Sequence, residues 1–530
     1  MLRTGKSSGQ LISDWELYEA GKEYNHKIGL YNTVDKNERF YRGDQWHGVT
    51  SGGLPTPVFN IFKRVINYFI SSIASQNISL SFEASSLGSL ITEMDGKELE
   101  RAAGIISAYL NYRFEKDNIM LLLREGLLDA ALSGDMFLYV SWDSSKKTAR
   151  AFSGDFVTRL VDTTQVFFGD VNSGDVQSQP YIIISGRELV ERLRDEAKQS
   201  GIPQSEYLKI TGDRDVDETF GDYGKSELED TKCTYIIKLF KRDGRVFYQK
   251  STRASRVTHE IDTGLSRYPV CMMNWDKIKN SYHGQAVATG MIDNQVYINK
   301  AFAMVMKHMM NVSFSKVIYN SNVIDEWTNT VGEAIAVNGN VENAAVTLHP
   351  GEMQSGFLDV INMTMNITKE LLGATDAALG EVVPENTSAI IALQNTSAVP
   401  LENQKKALFG MVEELGMIWL DYIFSYYDSS RVLMYRENGE LVRQTLDMDK
   451  LRDALFSCVI DVGTSSYWSE ISAVNTLDML LKSGHISFVQ YLERLPDGII
   501  PKKKELIEET KEILAAKQSE RTIDEQQYRT

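Results

Sequence analysis

A long helical pattern at residues 285–311, QAVATGMIDNQVYINKAFAMVMKHMMN, decides how this chain is organised. Its apolar residues recur at spacings of three, four or seven and predict one seam along a helix, at Val287, Met291, Ile298, Phe302, Val305 and Met309. Three charged residues spaced by seven predict a separate polar stripe, at Asp293, Lys300 and Lys307. At 1.5 Å per residue the helix would be roughly 40 Å long. It either joins an ordinary bundle with the stripe in solvent or turns the stripe toward another molecule.

The residues after this helix predict an unusual succession of elements. Short strand-like runs and turns fill residues 313–352, and a helical pattern returns over residues 353–373. Gly380 and Pro384 break that pattern, and a second long helical pattern follows over residues 388–427. It contains Pro400, and an interior proline costs about 3 kcal/mol through a lost hydrogen bond and a ring clash. Pro400 therefore predicts a kink, although it could equally end one helix and start another.

Composition and charge restrict the class of protein. The 530 residues are too many for one ordinary core, while 43% hydrophobic and 24% charged residues are typical of globular chains. The net charge of −16 disfavours tight wrapping of nucleic acid, whose phosphates require Lys and Arg. The simpler explanation of this negative charge is that it keeps the protein soluble. A more specific explanation is a surface that lets DNA pass without adhering to it.

The sequence contains no recognisable catalytic, metal-binding or membrane-spanning motif. The second Gly-Lys-Ser triplet, at residues 224–226, has Thr219 where a phosphate-binding loop needs glycine. The three cysteines are far apart in sequence, and the seven histidines form no ligand pattern, so we expect neither metal nor cofactor. The first residues have no apolar signal-like core. Asp421 interrupts the most apolar helical pattern, so we expect a soluble protein without a membrane partner.

Several motifs, taken together, resemble a known family. The run NERFYRGDQW at residues 37–46 precedes Pro55, Pro57 and the run VFNIFKRVIN at residues 58–67. Further along, a Tyr-Pro pair at residues 268–269 and Trp275 lead to Gly284 and the long helix, which carries Gln295 and Asn299. In this order, the motifs resemble the portal proteins of tailed double-stranded DNA bacteriophages, the siphophage- and podophage-like head-to-tail connectors.

The resemblance implies an α+β, multi-domain, ring-forming portal fold. It implies long stem helices, a β-rich wing and clip, a kinked long helix and a helical C-terminal crown. The expected boundaries are an N-terminal wing over 1–283, stem helix 1 over 284–312, a clip over 313–352, stem helix 2 over 353–373, a tunnel loop over 374–387, the kinked helix over 388–427, C-terminal wing strands over 428–467, and the crown and tail over 468–530.

The resemblance also implies a function without bond chemistry. About twelve copies would form a ring at one capsid vertex of the virion, after assembly in the host cytoplasm. Double-stranded DNA, driven by the large terminase, would pass through the ring without sequence specificity, and the ring would later retain and release it. Further partners would be the major capsid protein, the scaffolding protein and the head–tail adaptor or tail. The alternatives are another head–tail connector or capsid structural protein and, less favoured, an unrecognised enzyme.

The resemblance assigns candidate channel residues to the tunnel loop and the stem. The stripe of Asp293, Lys300 and Lys307 would face the lumen or the next subunit, and Pro400 would kink the long helix. The tunnel-loop residues expected to face DNA are Glu381, Val382, Val383, Pro384, Glu385, Asn386 and Thr387.

Overall fold

The structure is a computed structural model of the chain. It describes residues 13–75, 77–84, 95–147, 153–213, 231–313, 316–328, 335–348, 356–371, 399–429, 431–437, 440–452, 454–463, 467–495, 500 and 506–511. The expected tunnel loop, residues 374–387, and the first part of the expected kinked helix, residues 388–398, lie outside these ranges.

Helices make up much of the described chain. The first begins with a capping box, in which Ser13 and Glu16 each accept a hydrogen bond from the other's backbone N–H. Asn60 caps the third by accepting a hydrogen bond from the backbone N–H of Lys63. The helices are α1 Asp14–Lys27, α2 Leu30–Arg42, α3 Ile61–Ile73, α4 Gly96–Lys116, α5 Ile119–Ser133, α6 Val190–Gln199, α7 Gln204–Tyr207, α8 Val287–Ser313, α9 Gly356–Leu371, α10 Glu402–Tyr426, α11 Met448–Leu451, α12 Tyr467–Lys482 and α13 Phe488–Arg494.

Antiparallel strands form several small sheets. The strands are β1 Asn77–Ala84, β2 Asp135–Lys147, β3 Ser153–Val161, β4 Val166–Phe168, β5 Tyr181–Leu189, β6 Lys232–Arg242, β7 Arg245–Thr252, β8 Ile261–Asp262, β9 Val270–Asn274, β10 Lys316–Tyr319, β11 Ala345–Leu348, β12 Val432–Glu437, β13 Glu440–Thr445 and β14 Phe456–Gly463. One sheet has the order β4-β5-β6-β7-β8 and another the order β3-β2-β9. Strand β1 pairs with β14, so the C-terminal region returns to the N-terminal one.

One large core joins the helices to the three-stranded sheet. Helix α10 packs on β9 and β14, and its Trp419 is fully buried against Phe156 of β3. The buried guanidinium of Arg113 on α4 binds the Asp155 carboxylate at 2.6 Å, and the Tyr427 hydroxyl donates to the same carboxylate at 2.7 Å. A buried charge is tolerated when it is paired and hydrogen-bonded in this way. The mixture of helix and sheet confirms the predicted α+β class.

Candidate functional site

Helix α8 carries two stripes along its length, one buried and one exposed. Its exposed stripe follows spacings of four, three and four through Asp293, Tyr297, Lys300 and Met304. Because residues at these spacings share one face of a helix, the stripe is a continuous surface. It combines charged and apolar side chains, and this mixture was not predicted. We call residues 287–299 the root of α8 and residues 300–313 its tip.

The predicted apolar seam holds from Met291 to Val305 and fails at Met309, near the end of the tip. Met291, Ile298 and Val305 are buried, as the spacing predicts. Met309 belongs to the same seam but is 58% exposed, so the prediction is wrong there. The physical reason is that periodicity identifies a face of a helix but does not supply a neighbour to cover it. Other methionines near the end of the helix, Met304, Met306 and Met310, are exposed as well.

A buried polar cluster fixes the residues just before the root. The Asp135 carboxylate is fully buried at the start of β2 and accepts hydrogen bonds from the backbone N–H of Gly284 and the Asn274 amide, both at 2.7 Å. Its second oxygen lies 2.5 Å from Nδ1 of His283, whose Nε2 lies 3.1 Å from the Asn25 side chain. The cluster therefore joins α1, β2, β9 and the segment leading into α8.

A second polar cluster holds the root itself. The Gln295 amide donates to the carbonyl of Phe59 at 2.8 Å and accepts from the backbone N–H of Phe62 at 3.2 Å. The Asn299 amide donates to Gln45 at 2.6 Å. Gln295 and Asn299 are almost completely buried. Three motifs that are distant in sequence, at residues 37–46, 58–67 and 295–299, therefore meet at one place.

Helix α9 packs beside the tip of α8. Ala301 and Val305 of α8 form a small cluster with Ile361 of α9. The opposite face of α9 leaves Met363 63% exposed and Ile367 partly exposed. The two helices thus cover one side of each other and leave apolar side chains exposed on the other side.

Strands β10 and β11 form a two-stranded sheet between these helices. Ile318 lies directly opposite Val346, and both side chains are largely exposed. A two-stranded sheet with an uncovered face is marginally stable by itself. The excursion between α8 and α9 is therefore another place where the described chain has apolar surface without a cover.

The start of α10 bears on the predicted kink. Pro400 lies in a 3₁₀ turn, Val399–Leu401, directly before α10. The residues preceding this turn are not described, so the kink remains a prediction.

Just inside α10, the Gln404 amide donates to the carboxylate of Asp276 at 3.0 Å, and burial raises the pKa of that carboxyl group.

Acidic groups near α5 have perturbed ionisation. Burial raises the pKa of Asp129 to about 7, with further contributions from the negative charges of Asp162, Glu38 and Glu125. Burial also raises the pKa of Glu38. Helix α5 contacts α8, so this cluster lies on an element that supports the root.

The described residues offer no recognisable reactive centre. Burial raises the pKa of Cys233 and of Cys458 to about 12, and that of Cys271 well above its ordinary value. The thiols therefore stay protonated at neutral pH, and a protonated thiol is a poor nucleophile. Within the described ranges, no group of His, Cys, Asp and Glu side chains is arranged to hold a metal ion. No described helix is long and apolar enough to cross a membrane.

The predicted site residues have different surroundings. Asp293 and Lys300 are exposed, whereas the Lys307 ammonium donates to the carbonyl of Gly53 at 3.0 Å within the same chain. The seven candidate residues of the tunnel loop, 381–387, lie outside the described residues. Sequence reasoning missed Asp135 and Asn25, because nothing in their local sequence signals a buried contact with His283.

Comparison with protein-family models shows which family has this succession of helices and strands. A family model described as phage P22-like portal protein matches residues 209–487, more than half of the chain. The match begins just after α7 and runs through α8, the β10–β11 excursion, α9, α10 and α12, while the motifs at residues 37–67 lie outside it. No curated protein matches the chain. The long paired helices, the excursion between them and this match lead to one conclusion: the chain belongs to the P22-like family of phage portal proteins.

Proposed function

We propose that about twelve copies of this chain close into a ring at one vertex of a phage capsid. The ring is the channel through which the genome enters during packaging, and through which it is retained and later ejected. The observation that carries this proposal is the family match over residues 209–487, which spans both long helices and the excursion between them.

The exposed apolar surface supports assembly. Met304, Met309, Met363 and Ile318 are all more than half exposed on neighbouring elements. Several exposed apolar side chains grouped on neighbouring elements are typical of an interaction surface. In a closed ring each subunit presents one surface to one neighbour and a different surface to the other. We propose that the tip of α8, α9 and the β10–β11 sheet are covered in this way.

The negative net charge of the chain favours passage of DNA through the ring over tight binding of DNA to the protein. The net charge of −16 per chain gives a ring that repels the phosphate backbone on average. Isolated cations in the lumen would then hold DNA loosely and without sequence specificity. The exposed stripe of α8, with Asp293 and Lys300, faces either the lumen or the next subunit. We propose that the tunnel loop, residues 374–387, approaches the DNA through residues 381–387.

The proposed partners follow from the position at the vertex. The large terminase docks while it drives DNA inward, and a head–tail adaptor or the tail later attaches at the same vertex. The capsid and scaffolding proteins contact the outer face of the ring. The portal family is structural, and we propose that this chain likewise makes and breaks no covalent bonds.

Negative-stain electron microscopy of the purified chain tests the proposal. We expect rings with a central hole, and native mass spectrometry should give the subunit number. Monomers or closed shells under every condition tried would overturn it, and closed shells would favour a capsid protein instead.

A deletion tests the assignment of the tunnel loop. Removal of residues 382–385 should impair packaging or retention of DNA while ring assembly survives, because the loop contacts DNA and not the neighbouring subunit. Unchanged packaging by rings of normal appearance would show that the loop has been assigned wrongly.

A further inference from the structure

A cleft of about 320 Å³ opens between α2, the turn after it and the root of α8. Its apolar lining includes Phe40, Trp46 and Val296. The Trp46 indole N–H donates to the carbonyl of Pro57 at 2.9 Å, so the polar edge of this ring already has a partner. The cleft is therefore suited to an apolar or aromatic group.

The rim of the cleft carries two cations without partners. Arg39 binds Asp35 at 2.9 Å, so these two charges offset each other. Asp44 also lines the cleft, so with His47 neutral the lining has three cations against two carboxylates, a net charge of +1. Lys36 and Lys300 also line the cleft, and both are exposed. Neither lysine forms an ion pair or hydrogen bond with any described residue. A positive rim around an aromatic lining on a strongly acidic chain is suited to a ligand that combines carboxylates with an aromatic ring.

One segment of the chain outside the described residues has this composition. Residues 214–230 read RDVDETFGDYGKSELED, with seven carboxylates against Arg214 and Lys225, a net charge of −5. The segment also contains Phe220 and Tyr223. By contrast, residues 1–12 contain no carboxylate side chain, and residues 372–398 contain no aromatic residue. Residues 512–530 contain Tyr528, but four carboxylates against three cations give them a net charge of only −1. The ends of the acidic segment are held together, because the backbone N–H of Asp213 donates to the carbonyl of Lys232 at 3.0 Å.

We propose that residues 214–230 of one copy occupy the Lys36–Lys300 cleft of the neighbouring copy. The inference rests on the ring proposed above, in which each subunit must present two different surfaces to its neighbours. One aromatic side chain of the segment fills the apolar cleft, and carboxylates beside it pair with Lys36 and Lys300. DNA phosphates could satisfy the two lysines but would leave the aromatic lining empty, so the acidic segment fits the cleft better.

Zero-length cross-linking of assembled full-length protein tests the contact. A carbodiimide joins Lys ammonium groups to carboxylates in direct contact, and mass spectrometry identifies the joined peptides. In rings assembled from an equal mixture of ¹⁴N- and ¹⁵N-labelled chains, we expect links from Lys36 or Lys300 to residues 214–230 that join unlike isotopes. Links within single chains only, or no such links in intact rings, would overturn the proposal.

Charge reversal with rescue provides a second test. Lys36→Glu combined with Lys300→Glu should raise the protein concentration needed for half-maximal assembly by about tenfold, since two ion pairs become repulsive. Lys97→Glu, the same change at an exposed residue of α4, is the control and should assemble normally. Adding Asp217→Lys and Glu218→Lys to the cleft variant should restore assembly.

The outcomes separate this inference from the proposed function. If the unsubstituted chain forms no ring, the ring itself is wrong. If it forms rings and the cleft variant assembles equally well, the ring stands and the cleft contact is wrong. A third outcome is that the cleft variant assembles normally but its rings bind DNA less tightly than unsubstituted rings do. In that case Lys36 and Lys300 bind DNA rather than the acidic segment, and the proposal is wrong.

Discussion

The root and the tip of α8 belong to one helix but are held in different ways. The root is fixed by buried hydrogen bonds from Gln295 and Asn299 and by the Asp135–His283 cluster just before it. The tip contacts α9 through Ala301 and Val305, whereas its Met304 and Met309 side chains are exposed. The comparison teaches that a single subunit buries the polar anchors of the root but leaves apolar side chains of the tip exposed, where we propose that a neighbouring copy covers them.

Removing Asp135 should give the largest loss of stability. Asp135→Ala leaves His283, the Asn274 amide and the N–H of Gly284 without their shared acceptor in a buried place. We expect the free energy of unfolding of the unassembled chain to fall by about 3–5 kcal/mol. Urea unfolding monitored by tryptophan fluorescence measures this change. Asp293→Ala, on the exposed stripe, is the matched control, and equal losses for the two variants would contradict the comparison.

Removing Gln295 should give the next largest loss. Gln295→Ala leaves the Phe59 carbonyl and the Phe62 N–H unpaired inside the protein, at a cost of about 1–3 kcal/mol. The same urea titration measures it. Asn311→Ala, at an exposed residue of the tip, should change stability by less than about 0.5 kcal/mol. A larger effect at Asn311 than at Gln295 would reverse our assignment of root and tip.

Replacing Asp129 should stabilise the support of the root at high pH. The folded-state pKa of about 7 lies above the ordinary value, so the folded protein holds this proton more tightly than the unfolded chain does. The unsubstituted protein therefore loses stability as pH rises from about 4 toward 7. We expect Asp129→Asn to gain on the order of 1 kcal/mol at pH 8 and little at pH 4.

Thermal unfolding at several pH values measures this gain. Asp195→Asn, the same change at an exposed carboxylate on α6, is the control for the substitution itself. A gain for Asp129→Asn that does not vary with pH would mean that Asp129 is ionised normally in the folded chain.

Charging the tip should have the smallest effect on the isolated subunit. Met304→Lys with Met309→Lys places two exposed side chains in water, so the unfolding free energy should change by less than about 0.5 kcal/mol. Assembly should nevertheless be lost, because the new ammonium groups would be buried in the ring. Light scattering measures assembly, and normal rings from this variant would show that the tip is not covered by a neighbour.

The sequence predicted helix α8 and its key polar residues better than it predicted which side chains pack around them. The spacing of apolar residues located α8, and the motif resemblance singled out Gln295 and Asn299, which the structure places in one buried cluster. Asp135 could not be found, because Ser133-Gly134-Asp135 reads as an ordinary turn and its partners lie far away in sequence. Met309 was assigned to a buried seam, since periodicity cannot tell which neighbours reach the end of a helix.

The stripe was predicted only in part. Spacing by seven selected Asp293, Lys300 and Lys307, of which the first two are exposed. It passed over Tyr297 and Met304, which occupy the same exposed face, and it could not show that Lys307 reaches the carbonyl of Gly53. A pattern of charges identifies charged positions, whereas the exposed surface of a helix also depends on what packs beside it.

A cryo-electron microscopy map of the assembled chain tests the central claim most directly. We predict a closed ring with an axial channel, in which Gln295 and Asn299 at the root of α8 stay buried within their own subunit and Met304 and Met309 pack against a neighbouring copy. A ring in which these methionines remain in solvent, or particles that never exceed a single subunit, would contradict the account.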